Sequence, residues 1–247
     1  MSCKYFILFK SNDSEIHDDH ENQIVVGSSK GYILPKNNIN YYIENGLFEK
    51  NLIEWSTILC NKDKDMLDIG AHTGTYAISL AKYCNHVYAF EPQKMTYYAL
   101  CGSVALSHAT NVTCLHVGLG SIEQVGKQIL NVISVDGGGS TLHKDNNNNS
   151  LYNEEIEIKT LDSYNFTNIG FIKLDVENNE LQVLKNSINT LKNSNYPKIL
   201  FEMNEYNDEL VLFLKNTLNY SIIKLINSHN MYLASPVTIQ KIESFES

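Results

Sequence analysis

Apolar runs of strand length alternate with segments of helical periodicity along most of the chain. This alternation predicts an α/β fold in which a mostly parallel sheet carries helices on both faces. Residues 227–230 are too few for a helical crossover, so the last two strands should form an antiparallel hairpin. The predicted strands are 66–69, 86–90, 111–117, 169–176, 198–203, 220–226 and 231–236, and the predicted helices are 75–83, 94–108, 179–191 and 207–216.

Three segments depart from this alternation. Residues 1–43 mix short apolar runs with polar turns, which predicts a strand or hairpin extension ahead of a main domain over 44–247. Apolar residues at helical spacing predict one helix over 43–60. Within 121–167, two segments of period two, 127–134 and 154–161, flank a Gly/Asn-rich stretch, so we expect an inserted β-hairpin with a loop.

The amino-acid composition limits the kinds of molecule that this protein can be expected to bind. The net charge is −9 and all 19 basic residues are lysine, which argues against nucleic acid because arginine makes the forked contacts to bases and phosphates. No stretch approaches the roughly 20 apolar residues of a membrane span, and the apolar run at 5–9 is too short for a signal peptide. We therefore expect a cytoplasmic protein without a membrane partner. Five dispersed cysteines without a CxxC pair predict no structural metal.

The stretch DIGAHTG, residues 68–74, joins the first predicted parallel strand to a helix. Open α/β sheets bind ligands at such carboxyl strand ends. His72 stands where the dinucleotide motif GxGxxG needs a glycine, so the turn suits a nucleotide without phosphate, such as S-adenosylmethionine. Glu91, about twenty residues further at the next strand end, can accept both ribose hydroxyls. The predicted cofactor-binding residues are Asp68, Gly70, Ala71, His72, Thr73, Gly74, Glu91, Pro92, Gly118 and Asp175.

Each feature of this turn has a structural alternative. Gly70 and Gly74 could only permit tight packing of the helix on the strand. His72 could simply supply polarity at the start of the helix.

Four stretches in order, DIGAHTG, YAFEPQ, TLDSY and FIKLDVENNELQVLKN, resemble the FkbM-type methyltransferases, a branch of the class I S-adenosylmethionine-dependent fold. The resemblance covers about residues 47–234. It implies a Rossmann-like, seven-stranded sheet that ends in a reversed hairpin. It also implies O-methylation, often of a sugar or polyketide hydroxyl. The sequence departs from the family at His72, usually a small residue or Asn, and at Asn178, usually Gly.

The candidate catalytic groups are mainly carboxylates at strand ends. In FIKLDVE, period two places Asp175 and Glu177 on the same side as Lys173, near the expected methyl group. Paired carboxylates raise one pKa and can supply a general base, or hold a divalent ion, which is possible but not expected. Alternatively, Asp175 caps the following helix and Glu177 favours its dipole.

Three further candidates lie outside that strand. Glu202 ends the strand 198–203 and could face the same crevice or be a solvated strand-end acid. His143, on the inserted loop, could swing over the site as a base or lie at the surface. Glu49 matches an acidic position of the family that could close over the cofactor, or it lies on a helix surface.

The sequence thus predicts an S-adenosylmethionine-dependent O-methyltransferase whose acceptor is a hydroxyl of a sugar, a glycan or a small hydroxylated metabolite. A catalytically silent methyltransferase-like binding module is the alternative. An NAD-dependent oxidoreductase is disfavoured by the missing middle glycine. The oligomeric state and the identity of the acceptor stay open.

Overall fold

A computed structural model describes residues 4–10, 30–134, 138–142 and 150–237 of the chain. The strands are β1 (Tyr5–Lys10), β2 (Lys30–Pro35), β3 (Asp65–Ile69), β4 (Val87–Phe90), β5 (Val112–Leu115), β6 (Gly118–Leu119), β7 (Gly126–Val132), β8 (Tyr152–Lys159), β9 (Ile169–Leu174), β10 (Lys198–Glu202), β11 (Tyr220–Lys224) and β12 (Met231–Pro236). The helices are α1 (Ile39–Asn45), α2 (Lys50–Ser56), α3 (Thr75–Leu80), α4 (Lys94–Leu106), α5 (Glu180–Lys185), α6 (Ile188–Asn193) and α7 (Asp208–Leu212). A π-helical turn, Phe213–Thr217, continues α7.

Seven strands form the central sheet in the spatial order β11-β12-β10-β9-β3-β4-β5. The pairs from β5 to β10 are parallel, whereas β12 is antiparallel to both β10 and β11. The predicted fold class is therefore confirmed, including the reversed hairpin at the end. Because the chain winds from β3 to β4 and β5 and later returns to β9, a crevice opens at the carboxyl ends of β3 and β9.

Side chains of the central sheet alternate between two cores, as period two requires. Along β9, Phe171 packs with Met66 and with side chains of α3, whereas Ile172 and Leu174 pack with side chains of α5 and α7. Helices therefore cover both faces of the sheet, which explains why its strands are apolar on both sides.

The N-terminal segment folds as a hairpin, since β1 and β2 are antiparallel. The backbone N–H groups of Gly31 and Ile33, on β2, donate to the hydroxyls of Ser107 and Ser103 at 2.9 and 2.8 Å. These bonds attach the hairpin to α4.

The single helix predicted over 43–60 is wrong. Instead α1 begins at Ile39, within the predicted extension, and a short connection separates it from α2. Gly46 and Glu49 take positive φ angles of 77° and 53°, which interrupt a right-handed helix. The helix predicted over 179–191 is likewise divided into α5 and α6, because the Ser187 hydroxyl and N–H both bond back to the carbonyl of Leu184.

The insertion forms a small sheet in the order β6-β8-β7. Strands β7 and β8 pair antiparallel from Gly126 opposite Ile158 to Val132 opposite Tyr152. Its apolar side chains, among them Leu130 and Ile156, make a cluster of their own. Across the described parts of the chain, no helix has the length and apolar character needed to cross a bilayer.

Candidate functional site

A cavity of about 240 Å³ lies at the carboxyl ends of β3, β4 and β9, where the sheet order reverses. It is many times larger than the roughly 10–15 Å³ that one water molecule needs, so it has room for a ligand. The insertion supplies one apolar wall, with Leu130, Ile156 and Ile158. Seven of the predicted cofactor residues line it: Gly70, Ala71, His72, Glu91, Pro92, Gly118 and Asp175.

The turn after β3 brings its backbone against the end of β9. Gly70 has a φ of +79°, and a Cβ there would lie 1.8 Å from the carbonyl oxygen of Asp175. The N–H of Asp175 donates to the carbonyl of Ile69 at 3.0 Å. Only glycine can occupy this position, because both the φ angle and the close approach exclude a side chain.

Glu91 holds two turns together with one carboxylate. Its Oε2 accepts the N–H of His72 at 2.9 Å, and its Oε1 accepts the N–H of Gln93 at 2.8 Å. Burial raises the pKa of this carboxyl to about 7, although both hydrogen bonds favour the ionised form. His72 has a φ of +51°, so its N–H points back to the carboxylate rather than into a helix.

Three predicted cofactor residues lie behind the cavity wall instead of in it. Asp68 is fully buried, and its Oδ2 accepts the N–H of Ala77 at 2.9 Å, so it anchors α3. Thr73 is also fully buried. A Cβ on Gly74 would lie 2.6 Å from Leu100 Cδ1, which is the packing role considered as its alternative. Asp68, Thr73 and Gly74 are not among the residues that line the cavity, and their direct contact with a cofactor stays a prediction.

Lys173 lies at the centre of the charged groups, a role that the sequence analysis did not assign. Its Nζ lies 3.0 Å from Asp175 Oδ2 and 3.2 Å from the carbonyl oxygen of Gly70, and 5.2 Å from the centre of the Tyr76 ring. Burial opposes its charge, but Asp175, Asp68 and Glu49 together raise the pKa of Lys173 above its usual value. In the sequence, this role could have been inferred from a lysine that interrupts the apolar strand FIKLD, because a lysine is seldom buried without a partner.

Glu49 lies in the cavity wall, not on an open helix surface. The Tyr76 hydroxyl donates to Glu49 Oε2 at 3.0 Å. Burial raises the pKa of Glu49, while the positive charge of Lys173 and the bond from Tyr76 lower it. Glu49 and Tyr76 thus form one side of the cavity next to Lys173.

Asp175, Glu177 and Glu202 come together, as the sequence predicted. Each offers a carboxylate oxygen, and the three oxygens lie within 4.8 Å of one another. Burial raises the pKa of Glu202 to about 8, and the charges of Asp175 and Glu177 add to this shift. The carboxyl group of Glu202 is therefore mostly protonated at neutral pH. An oxygen-ligand set of this kind could also take a hard divalent cation.

The position of Glu177 differs from the expected one. Strand β9 ends at Leu174, and Glu177 follows in a turn with a φ of +53°. Its Oε1 accepts the N–H of Gly139 at 2.8 Å, and its carbonyl accepts the Thr141 hydroxyl at 3.1 Å. Glu177 therefore holds residues 138–142 of the insertion against the cavity.

The Oε1 of Glu180 accepts the N–H of Val176 at 3.1 Å, in the turn between β9 and α5. The residue that precedes α5 is Asn179, and the carboxylate of Asp175 is bonded by Lys173 rather than by a backbone N–H of this helix among the described residues. His143 lies outside the described residues, so its predicted role as a base remains a prediction.

Residues 68–229 match the family model of the methyltransferase FkbM domain, which is more than half of the chain. The chain belongs to the FkbM methyltransferase family. The predicted family is thereby confirmed, and with it the enzyme class, an S-adenosylmethionine-dependent methyltransferase with the Rossmann-like class I fold. The matched residues of this FkbM methyltransferase include every carboxylate described above except Glu49.

Three solved structures resemble this FkbM methyltransferase distantly. An rRNA methylase from Streptococcus thermophilus is 11% identical with a TM-score of 0.42, covering 74% of this chain and 92% of its own. Precorrin-6y C5,15-methyltransferase from Geobacter metallireducens is 13% identical with a TM-score of 0.45, covering 76% and 89%. A Streptococcus mutans protein solved with SAH is 12% identical with a TM-score of 0.45, covering 75% and 94%. A search of curated proteins found no match. Likeness this distant says nothing about substrate.

Proposed function

We propose that this FkbM methyltransferase transfers a methyl group from S-adenosylmethionine to a hydroxyl of a sugar, a glycan or a small hydroxylated metabolite. The observation that carries the proposal is the pairing, in one crevice, of the bridging carboxylate Glu91 with Asp175 and Glu177, beside which Glu202 adds a third carboxylate. The carboxylate of Glu91 suits the ribose of the donor. The carboxylate cluster suits removal of a proton from an acceptor hydroxyl.

The residues present fit the donor. Each oxygen of Glu91 accepts one backbone N–H, and a carboxylate oxygen has two acceptor sites, so each oxygen can still receive a ribose hydroxyl. Leu119 and Ile158 line the cavity with apolar surface suitable for the adenine ring of the donor. The carboxylates of Glu49 and Asp175 also line it and favour a cationic ligand electrostatically. When bound, the donor supplies an electrophilic methyl group.

The carboxylate cluster would act as the general base. Asp175 is held by the Nζ of Lys173, and a carboxylate oxygen of Asp175 lies within 4.8 Å of one of Glu202. An ionised carboxylate oxygen of this cluster can accept the hydroxyl proton as the methyl group is transferred. Lys173 acts as a positioning residue because it fixes the orientation of Asp175.

An acceptor with hydroxyl groups and little negative charge agrees best with this site. Four carboxylates line the cavity, namely Glu49, Glu91, Asp175 and Glu177, against one lysine, Lys173. An anionic polymer would be repelled there, which favours a sugar or a small hydroxylated metabolite over nucleic acid. The family resemblance, which implies sugar or polyketide hydroxyls, points the same way.

The test is a mass-spectrometric screen with methyl-labelled S-adenosylmethionine. The purified protein is incubated with nucleotide-sugars, glycans and small hydroxylated compounds, and products are searched for the gain of one labelled methyl group on oxygen. An amine or thiol acceptor would contradict the proposal. Donor binding without transfer to any hydroxyl compound would favour the silent binding module.

Glu91→Gln is expected to weaken donor binding by about 1–3 kcal/mol, because a neutral amide loses charge-assisted contacts to the ribose. The affinity is measured by calorimetric titration with S-adenosylmethionine. Glu157→Gln is the matched control, since Glu157 is an exposed residue of β8 and loses the same charge. Equal affinity of both variants would place the ribose away from Glu91.

A further inference from the structure

A second cavity, of about 190 Å³, lies between the N-terminal hairpin, α2 and the end of α3. Four lysines line it, one from each strand of the hairpin, one from α2 and one from the turn after α3. They are Lys10, Lys30, Lys50 and Lys82. Hydroxyl groups of Tyr32, Thr57 and Ser79 belong to the same wall. Such a concentration of lysines is notable in a chain whose net charge is −9.

Among the described residues, lysines outnumber acids in the wall of this cavity. Glu54 is the one acidic residue that these parts of the chain contribute to the wall, and it pairs with Lys10 at 3.4 Å, with both side chains about half exposed. Within the described segments, the ammonium groups of Lys30, Lys50 and Lys82 form no ion pair. The wall of the methyl-donor cavity has more carboxylates than lysines, so the two cavities suit ligands of opposite charge.

Lys30 is the most enclosed of the four. Its Nζ donates to the carbonyl of Ser79 at 2.7 Å, and the hydroxyls of Tyr32 and Ser79 are 2.8 Å apart. Burial lowers the pKa of Lys30 to about 8, and the positive charges of Lys82 and Lys10 contribute. The lysines therefore repel one another when the cavity holds no anion, and an anion would remove this repulsion.

We propose that this cavity binds a phosphate-bearing small molecule with at least two negative charges, such as one that carries a diphosphate group. Ammonium groups bind phosphate as compact point charges, and hydroxyl donors can add hydrogen bonds to its oxygens. One carboxylate ligand would leave most of the lysine charge uncompensated. The proposal depends neither on the methyl donor nor on the acceptor of the transfer reaction, because this cavity has its own wall.

The test is calorimetric titration of the full chain with inorganic pyrophosphate at constant ionic strength. The test variant is Lys50→Met/Lys82→Met, which removes two exposed lysines and leaves the enclosed Lys30 in place. The control is Lys192→Met/Lys215→Met, which removes two exposed lysines on other helical segments. We expect pyrophosphate to bind the unmodified protein and the control equally, and to bind the test variant about tenfold or more weakly.

Two measurements separate this site from the donor cavity and from loss of folding. Thermal unfolding without pyrophosphate and titration with S-adenosylmethionine should be the same for the test variant and the control. The full chain includes residues 11–29, which carry five acidic side chains between Lys10 and Lys30 in the sequence, so any competition from them enters the measured affinity. Absence of binding to the unmodified protein, or equal binding to both variants, would overturn the proposal.

Discussion

Gly70→Ala is expected to destabilise the protein by about 4 kcal/mol or more, a loss that single substitutions reach only when they break a packing or backbone feature. The added Cβ would lie 1.8 Å from the carbonyl oxygen of Asp175, so the ends of β3 and β9 would have to separate. That separation would also displace Asp175 and its bond to Lys173. Urea unfolding followed by circular dichroism measures the loss, and titration with S-adenosylmethionine measures donor binding.

Gly46→Ala is the matched control. Gly46 has a φ of +77°, close to the +79° of Gly70, but a Cβ there would meet only Lys50 Cδ at an ordinary 3.8 Å. Gly46→Ala should lower the free energy of unfolding by about 1–3 kcal/mol, through backbone strain alone, and should keep donor binding. The difference in stability between Gly70→Ala and Gly46→Ala then measures how much the steric conflict between β3 and the end of β9 contributes. If both lose equal stability, the approach of β3 to β9 is not what requires glycine at position 70.

The central sheet could be predicted from the sequence because its physical cause is local. Strands buried on both faces read as short apolar runs, such as MLDI and KILF, and they recur between helical patterns. The reversed hairpin followed from the short connection between β11 and β12. The break between α5 and α6 carries a weaker signal, because the bonds of Ser187 to Leu184 that compete with the helix do not change the pattern of apolar residues.

The candidate site could be predicted to the level of strand ends but not to individual contacts. Asp68 and Glu91 both follow apolar strand residues, yet one anchors α3 from within the core and the other borders the cavity. Asp68 still belongs to β3, whereas Glu91 follows the last residue of β4. The contact of Glu177 with Gly139 joins residues 38 positions apart, so it depends on where the insertion packs. Lys173 gains its role from Gly70 and Tyr76, which belong to another strand end and helix.

Asp175→Asn is expected to lower kcat by about 10²–10⁴-fold, the range that general acid–base catalysis contributes, and to lower donor affinity much less. An amide cannot accept the hydroxyl proton, but it can still receive a hydrogen bond from Lys173. The measurements are kcat, KM for the acceptor, and donor affinity by calorimetry. Asp208→Asn, an exposed substitution at the start of α7, is the control of the same chemical kind.

The pH dependence separates a base from a residue that only shapes the site. In the unmodified protein, burial and then the negative charges of Asp175 and Glu177 raise the pKa of Glu202 to about 8. A base must be ionised, so the rate should rise with pH as the carboxyl group of Glu202 loses its proton. Removing the charge of Asp175 lowers the pKa of Glu202, and the residual activity should therefore rise at lower pH than before. An unshifted pH profile, or a loss of donor affinity as large as the loss of kcat, would contradict the prediction. Asp175 would then serve donor binding and would not be the group that accepts the proton of the acceptor hydroxyl.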